Sequence, residues 1–403
     1  MTEKTTRIPE EIAITPKSAP RMANLELLRC LAMMMVVVLH FLGKGGLLAD
    51  LTGENLGVAG TIAWLLECLC IVAVNVYMLI SGYFLCTSSF KLSRLLQLLL
   101  QVWFYSLSFG LLGALTGVLA ETTFDTHYLL TLIFPVSMEH YWFMTAYVFL
   151  YLLLPFIGPT VKRMTKQQMQ YSIVLLLITF CVLKSVLPVR LDSDLKGYDC
   201  LWYLCVFLVA AYLRRFGCPF LEKRGRGILL YVAGCLLIFG GTMALRAVYL
   251  KTGSFSLIMK VCLEYNHILP LLASVGLFTA FLRIGINGKI SCVINKIAPY
   301  TLGVYLLHEN LGLRYSWQPW LGAERVKALM EAGTIEAVGS LLLWTFVAVL
   351  CVFACGVAVD FIRKWLFGIL HKLFSKVGLY RKAIEKISAV DEVFRPKKAD
   401  VVK

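Results

Sequence analysis

Ten runs of apolar residues divide the chain, each long enough to cross a hydrocarbon core of about 30 Å. They lie near 24–42, 58–86, 93–119, 141–159, 171–188, 200–216, 226–249, 262–283, 297–313 and 337–366. Polar residues collect in short segments between them, so the pattern predicts an all-α polytopic membrane protein with about ten transmembrane helices. Residues 1–21 are polar, proline-punctuated and non-periodic, and are expected to form a disordered tail. Residues 22–369 then make up one membrane domain, followed by a Lys/Arg-rich tail at 370–403. In that tail Leu370, Leu373, Phe374 and Val377 recur at helical spacing, as in a segment lying along the inner membrane surface. The segment 314–336 is also amphipathic, through Trp317, Trp320, Val326, Leu329 and Met330. It reads either as an interfacial anchor or as a lid over an external site.

Composition agrees with the pattern. The 403 residues are 59% hydrophobic and 16% charged, against about 25% charged in a soluble domain. A net charge of +15 raises the possibility of nucleic acid, but the placement of the charges excludes it. The basic residues sit in short clusters beside apolar runs, the pattern of loops against anionic lipid. These clusters also set orientation. With the N-terminus inside, the inner segments hold Lys91/Arg94, Lys162/Arg163/Lys166, Arg214/Arg215/Lys223/Arg224/Arg226, Arg283/Lys289/Lys296 and the tail from Arg363. The outer segments hold fewer: Lys44, Arg190/Lys196, Lys251/Lys260, Arg314 and Arg325/Lys327. They also take the acidic residues Glu121, Asp125, Glu139, Asp192, Asp194 and Asp199. The expectation is N-in and C-in, in the cell membrane. The 13 cysteines are mostly single within apolar runs, with no CxxC pair, so they read as small packing residues and no metal is expected.

Candidate chemistry starts in the first run, where Arg29 and His40 are separated only by apolar residues. Eleven helical steps return a side chain to within roughly 20° of its starting face, about 16 Å along the axis. One face thus carries a permanent cation and, half a bilayer away, a titratable base. Ionisable groups at membrane depth are functional candidates, although Arg29 as a snorkelling anchor and His40 as a headgroup cap is the competing reading. Glu26 lies one turn before Arg29 and is placed to pair with it. Other polar islands are Asn75 with Ser81-Gly82 in the second run, and Glu139-His140 leading into Trp142 at the fourth. Asn266-His267 lies near the eighth, and Tyr305, His308 and Glu309 in the short ninth. Ser81-Gly82 is also a helix-packing site.

Taken in order, Arg29-x10-His40, the Ser81-Gly82-Tyr83 island, His140-x-Trp142-Phe143 and Tyr305-Leu306-Leu307-His308-Glu309 resemble the acyltransferase 3 family, from about Asn24 to Phe367. Its members are ten-helix membrane acyltransferases that modify sugars, lipids and other exported molecules. The resemblance implies that His40 is the essential catalytic histidine and Arg29 its partner. It implies acetyl-CoA as the cytoplasmic donor and a hydroxyl of a cell-surface glycan as acceptor. Glu26, Asn75, Ser81, Trp142, Tyr305 and His308 are the candidate substrate-binding residues. An imidazole here can act as general base on the attacking hydroxyl or can carry the acyl group itself. Arg29 suits a CoA phosphate or the thioester, because guanidinium stays charged when desolvated. The alternative from another class is a multi-span transporter or flippase. Such proteins show matching internal repeats and broken helices, and the first five runs find no convincing repeat in the second five.

Overall fold

The computed structural model describes residues 21–116, 125–187, 195–223, 225–255 and 258–395. Residues 1–20, and with them nearly all of the expected disordered tail, lie outside the described residues, as do Glu121, Arg190, Asp192, Asp194 and Arg224. Among the described residues all regular structure is helical. In chain order the α-helices are α1 (Ala23–Lys44), α2 (Gly57–Cys70), α3 (Ala73–Leu85), α4 (Leu92–Thr116), α5 (Thr126–Ile133) and α6 (Trp142–Arg163). Next come α7 (Lys166–Leu177), α8 (Leu183–Val186), α9 (Cys200–Phe216), α10 (Pro219–Glu222), α11 (Arg226–Thr252) and α12 (Ile268–Leu282). The chain closes with α13 (Gly288–Ile297), α14 (Thr301–His308), α15 (Trp317–Trp320), α16 (Ala323–Glu331), α17 (Glu336–Phe374) and α18 (Gly378–Val393).

Nine helical stretches among the described residues are long and apolar enough to cross a membrane. Some combine two helices: α2 and α3 run on as Gly57–Leu85, and a π-turn at Ile178–Val182 joins α7 to α8. The remaining apolar run, 200–216, is α9, whose 17 residues give about 25 Å at 1.5 Å per residue. It is the shortest of the ten apolar runs seen as helix. Asp199 caps its start by accepting from the Trp202 N–H at 2.8 Å. At its other end Arg214 lies 4.5 Å over the Tyr83 ring and Arg215 donates to the Val161 carbonyl. Gly82 explains how α9 fits so closely on α3. A Cβ there would lie 2.9 Å from Ala210 Cβ and 3.0 Å from Phe207 Cα.

Contacts between segment ends sort the bundle into two ends. At one, Asn24 donates to the Phe281 carbonyl (2.9 Å), Lys162 to the Ser88 carbonyl (3.2 Å) and Ser93 Oγ to Asp391 (2.5 Å). Arg283 faces Glu222 there at 3.6 Å. This end carries the basic clusters, and both Met22 and Asp391 belong to it. At the other, Lys184 pairs with Glu264 (2.6 Å), Lys44 with Glu309, and Arg314 Nη2 donates to the His140 carbonyl (2.8 Å). Among the described residues the nine candidate spans and α9 alternate in direction between these two ends.

The helix that positions the site is the short α14, which presses on α17 through two glycines. A Cβ on Gly303 would lie 2.4 Å from Asp360 Cβ and 2.5 Å from the Tyr105 hydroxyl; one on Gly356 would lie 2.5 Å from Val304 Cα. Asp360 is a fully buried charge at the centre of that contact. It accepts from Gln101 Nε2 (2.9 Å), the Tyr105 hydroxyl (3.1 Å), and Arg363 Nε and Nη2 (2.7 and 3.1 Å). Every donor here is spent on one carboxylate, as a buried charge requires. Gly303→Ala should therefore overpack the α14–α17 contact, at a cost of about 1–3 kcal/mol. Thermal unfolding in detergent checks this, and an unchanged midpoint would remove α14 from the rigid core.

Two expectations about amphipathic segments resolve here. Trp317, Gln318, Ala323 and Val326 are buried, so 314–336 packs onto the bundle through these side chains, with Trp320 left exposed. The boundary at 369 falls inside α17. Its 39 residues carry Leu370, Leu373 and Phe374 on an unbroken helix before the chain turns into α18.

Candidate active site

Arg29, Met33, Val36 and His40 fall at intervals of four, three and four along α1, and all four line one cavity of about 350 Å³. Tyr77 and Ser81 of α3, Arg94 of α4, Trp142 and Phe143 of α6, and Tyr305 of α14 close its walls. Most of the lining is aromatic or aliphatic. Among the described residues its only guanidinium groups are Arg29 and Arg94, at the basic end, and no carboxylate lines it.

At the opposite end, His40 sits in a chain of hydrogen bonds whose protons can be assigned from the partners. His308 Nδ1 lies 2.6 Å from the Val304 carbonyl, which only accepts, so that nitrogen carries the hydrogen. In neutral His308 the Nε2 is then an acceptor. His40 Nδ1 faces this Nε2 at 2.9 Å and Glu309 Oε1 at 3.1 Å. Both are acceptors, so His40 Nδ1 is the protonated nitrogen and Nε2 keeps the lone pair. This is the tautomer that a general base needs, with a carboxylate behind it to support the imidazolium once formed. Lys44, one turn beyond His40, pairs with the same Glu309 oxygen and holds it in place. The cap braces the arrangement: Trp317 Nε1 donates to the His308 carbonyl (3.1 Å), and Gln318 Nε2 lies 3.4 Å from the His40 carbonyl.

The ligand atoms of His40, His308 and Glu309 all lie within 4.8 Å of one another, a set with the composition of a metal site. The 2.9–3.1 Å spacings are those of shared protons, and the Lys44 ammonium already neutralises Glu309. A cation binding there would have to displace a resident charge, so the geometry suits proton transfer better.

Arg29 Nη1 donates to Glu26 Oε2 at 2.7 Å, and its carbonyl accepts from the Tyr77 hydroxyl at 2.8 Å. Glu26 is buried and stands behind Arg29 without lining the cavity. Ser81, Trp142 and Tyr305 do line it, with Trp142 packed on Tyr198 and Tyr265 at 4.4 and 5.9 Å between ring centroids. Asn75 and His308 do not. Asn75 ties helices together, donating to the Tyr265 carbonyl (2.8 Å) and accepting from Trp202 Nε1 (2.9 Å). His308 lies behind the cavity wall, within hydrogen-bond distance of His40.

His140 also turns inward, away from the cavity. Its Nδ1 lies 3.0 Å from Ser106 Oγ, whose own hydrogen goes to the Leu132 carbonyl, and its Nε2 accepts from the Leu311 N–H at 3.0 Å. Burial pushes its pKa down to about 3, and the Arg314 charge adds to this. It is a neutral bracket between α4 and the segment after α14. At the eighth span, His267 caps α12 and Asn266 accepts from Lys184.

The sequence reading missed Lys44 and did not join Glu309 to His40. The first had a signal, a cation at i+4 from His40 on the same helical face. The second had none, because the partners lie 268 and more residues apart.

Comparison with known proteins adds the family. The family model described as an acyltransferase domain, of the acyltransferase 3 type, matches residues 22–362, which takes in the Arg29–His40 stripe, α14 and the Asp360 contact. No curated protein and no solved structure matches the chain. With this match over most of its length and nine candidate spans, the chain belongs to the acyltransferase 3 family and is a multi-pass membrane acyltransferase.

Proposed function

We propose that the protein moves an acetyl or other short acyl group from acyl-CoA to a hydroxyl of a cell-surface or exported glycan. One observation carries the reading: a single cavity has two guanidinium groups at its basic end and, at the other, a histidine whose Nδ1 faces His308 and Glu309. By the positive-inside rule the basic end faces the cytoplasm and the His40 end faces outward, with the protein in the cell membrane. Acyl-CoA then enters where Arg29 and Arg94 meet its phosphates, and the thioester extends along the aromatic walls toward His40.

The transfer balances on His40 alone. Its Nε2 takes the proton of the acceptor hydroxyl as that oxygen attacks the thioester carbonyl carbon. The resulting imidazolium keeps its Nδ1–H on Glu309 and His308. When the C–S bond breaks, the same Nε2 returns the proton to the leaving CoA sulfur. General-base assistance of this kind is worth about 10²–10⁴-fold. Trp142, with Tyr198 and Tyr265, forms the wall nearest the acceptor.

Two measurements test the reading. Purified protein in lipid, given labelled acetyl-CoA and surface glycan, should move label to the glycan. Uptake of a polar solute with no acyl product would instead favour the transporter reading. Arg29→Lys keeps the charge but loses the planar fork, so it should raise the KM for acyl-CoA about tenfold or more with kcat nearly unchanged. An unchanged donor KM with a large loss in kcat would move the donor site to other basic residues, Arg94 first.

A further inference from the structure

The C-terminal helix α18 has no buried residue, yet it is built to bury something. Leu379, Ala383, Ile387 and Val390 recur at intervals of four, four and three, making one apolar stripe. Leu379 is 80% exposed and Val393 78%, with Ile384 and Val390 also exposed. Lys382 and Lys386 flank the stripe on one side. Ile387 is half-buried, and among the described residues nothing covers the rest of this face.

The position of α18 indicates what does. It is fixed at the basic end of the bundle: Ser93 N and Oγ donate to Asp391 at 3.2 and 2.5 Å, and the Phe394 ring meets Phe90 at 5.0 Å. The Tyr380 hydroxyl reaches His371 Nδ1 of α17 at 2.8 Å. α17 itself is exposed along Phe361, Trp365, Ile369 and Leu373, an apolar stripe that leads toward α18. At 39 residues it spans about 58 Å, well beyond a core of about 30 Å. Its end, and α18 after it, therefore lie at the headgroup layer. From Arg363 to Arg395 there are eight Lys/Arg and three Asp/Glu, and Asp391 is already engaged by Ser93. An apolar stripe flanked by lysines at that depth has the chemistry of an interfacial helix on anionic lipid.

We propose that α18 is a membrane-surface helix whose partner is the anionic headgroup layer at the basic end, with the Asp391–Ser93 contact as its fixed point. The apolar stripe inserts at the acyl boundary while Lys382 and Lys386 meet lipid phosphates. Each lysine near such a surface contributes about a fivefold factor.

Hydrogen exchange on the full-length protein tests this in nanodiscs of phosphatidylcholine alone or mixed with phosphatidylglycerol. Amides of 378–393 should exchange at least about fivefold more slowly in the anionic discs, and α9 should be unaffected. High salt, or Lys382→Glu with Lys386→Glu, should abolish the difference. Both lysines are exposed, so the variant keeps the rest of the fold, and the salt arm tests the wild type alone. Equal exchange in both lipids would overturn the proposal. So would protection that survives both salt and the double substitution, or protection that rises with protein concentration, which would make a second copy the partner. The readout is independent of acyl transfer, so it stands or falls separately from the activity above.

Discussion

His40→Ala is expected to lower acyl transfer by about 10²–10⁴-fold while the protein still folds and inserts. The side chain lines a cavity and is not packed in the core, so its removal enlarges a space that already exists. The Glu309–Lys44 pair remains, and His308 keeps its bond to the Val304 carbonyl. The check is an initial-rate assay beside size exclusion and circular dichroism in detergent. A variant that keeps more than a tenth of the wild-type rate would remove His40 from the chemistry, whatever the fold does.

Glu309→Gln is expected to cost about as much, for a different reason. The amide matches the carboxylate in shape, but its NH2 group can donate to His40 Nδ1. That favours the tautomer whose Nε2 carries the hydrogen and cannot accept one, and it leaves the forming imidazolium without its counter-charge. The comparable change in a serine-protease triad lowers kcat about 10⁴-fold. Gln also leaves the Lys44 ammonium without its partner, so stability should fall as well. Lys44→Met in the same chain separates the two effects. The double variant should recover thermal stability but not rate. Recovery of rate together with stability would reduce Glu309 to a structural ion-pair partner.

The sequence and the structure agree where the information lies within one helix. The apolar runs, the Arg29–His40 stripe and its closeness to Glu26 all follow from a 3.6-residue period, which the chain carries locally. What escaped depends on pairing between helices. Asn75 is a polar residue in an apolar run, which reads as a ligand contact, yet its amide bridges α3 to Trp202 of α9 and the segment before α12. His308 reads as a substrate contact from its place in an apolar run, and the structure sets it on α14 against His40, outside the cavity lining. His140 stands next to cavity residues in sequence but faces Ser106 and Leu311, because the turn before α6 rotates it away from Trp142. The segment 314–336 could be read as amphipathic, but only its packing shows that Trp317 and Gln318 reach the His308 and His40 carbonyls. None of these partnerships leaves a periodic trace, since each joins residues brought together by tertiary packing alone.

The central claim is that one cavity joins a donor at the basic end to a base at the other. The most direct measurement supplies labelled acetyl-CoA to sealed membrane vesicles of either orientation and follows label into a non-CoA acyl product. Transfer should occur when the donor faces the Arg29 end, be absent when it faces the His40 end, and disappear in His40→Ala at either face. Equal transfer from both faces, or transfer that survives the loss of His40, would contradict it.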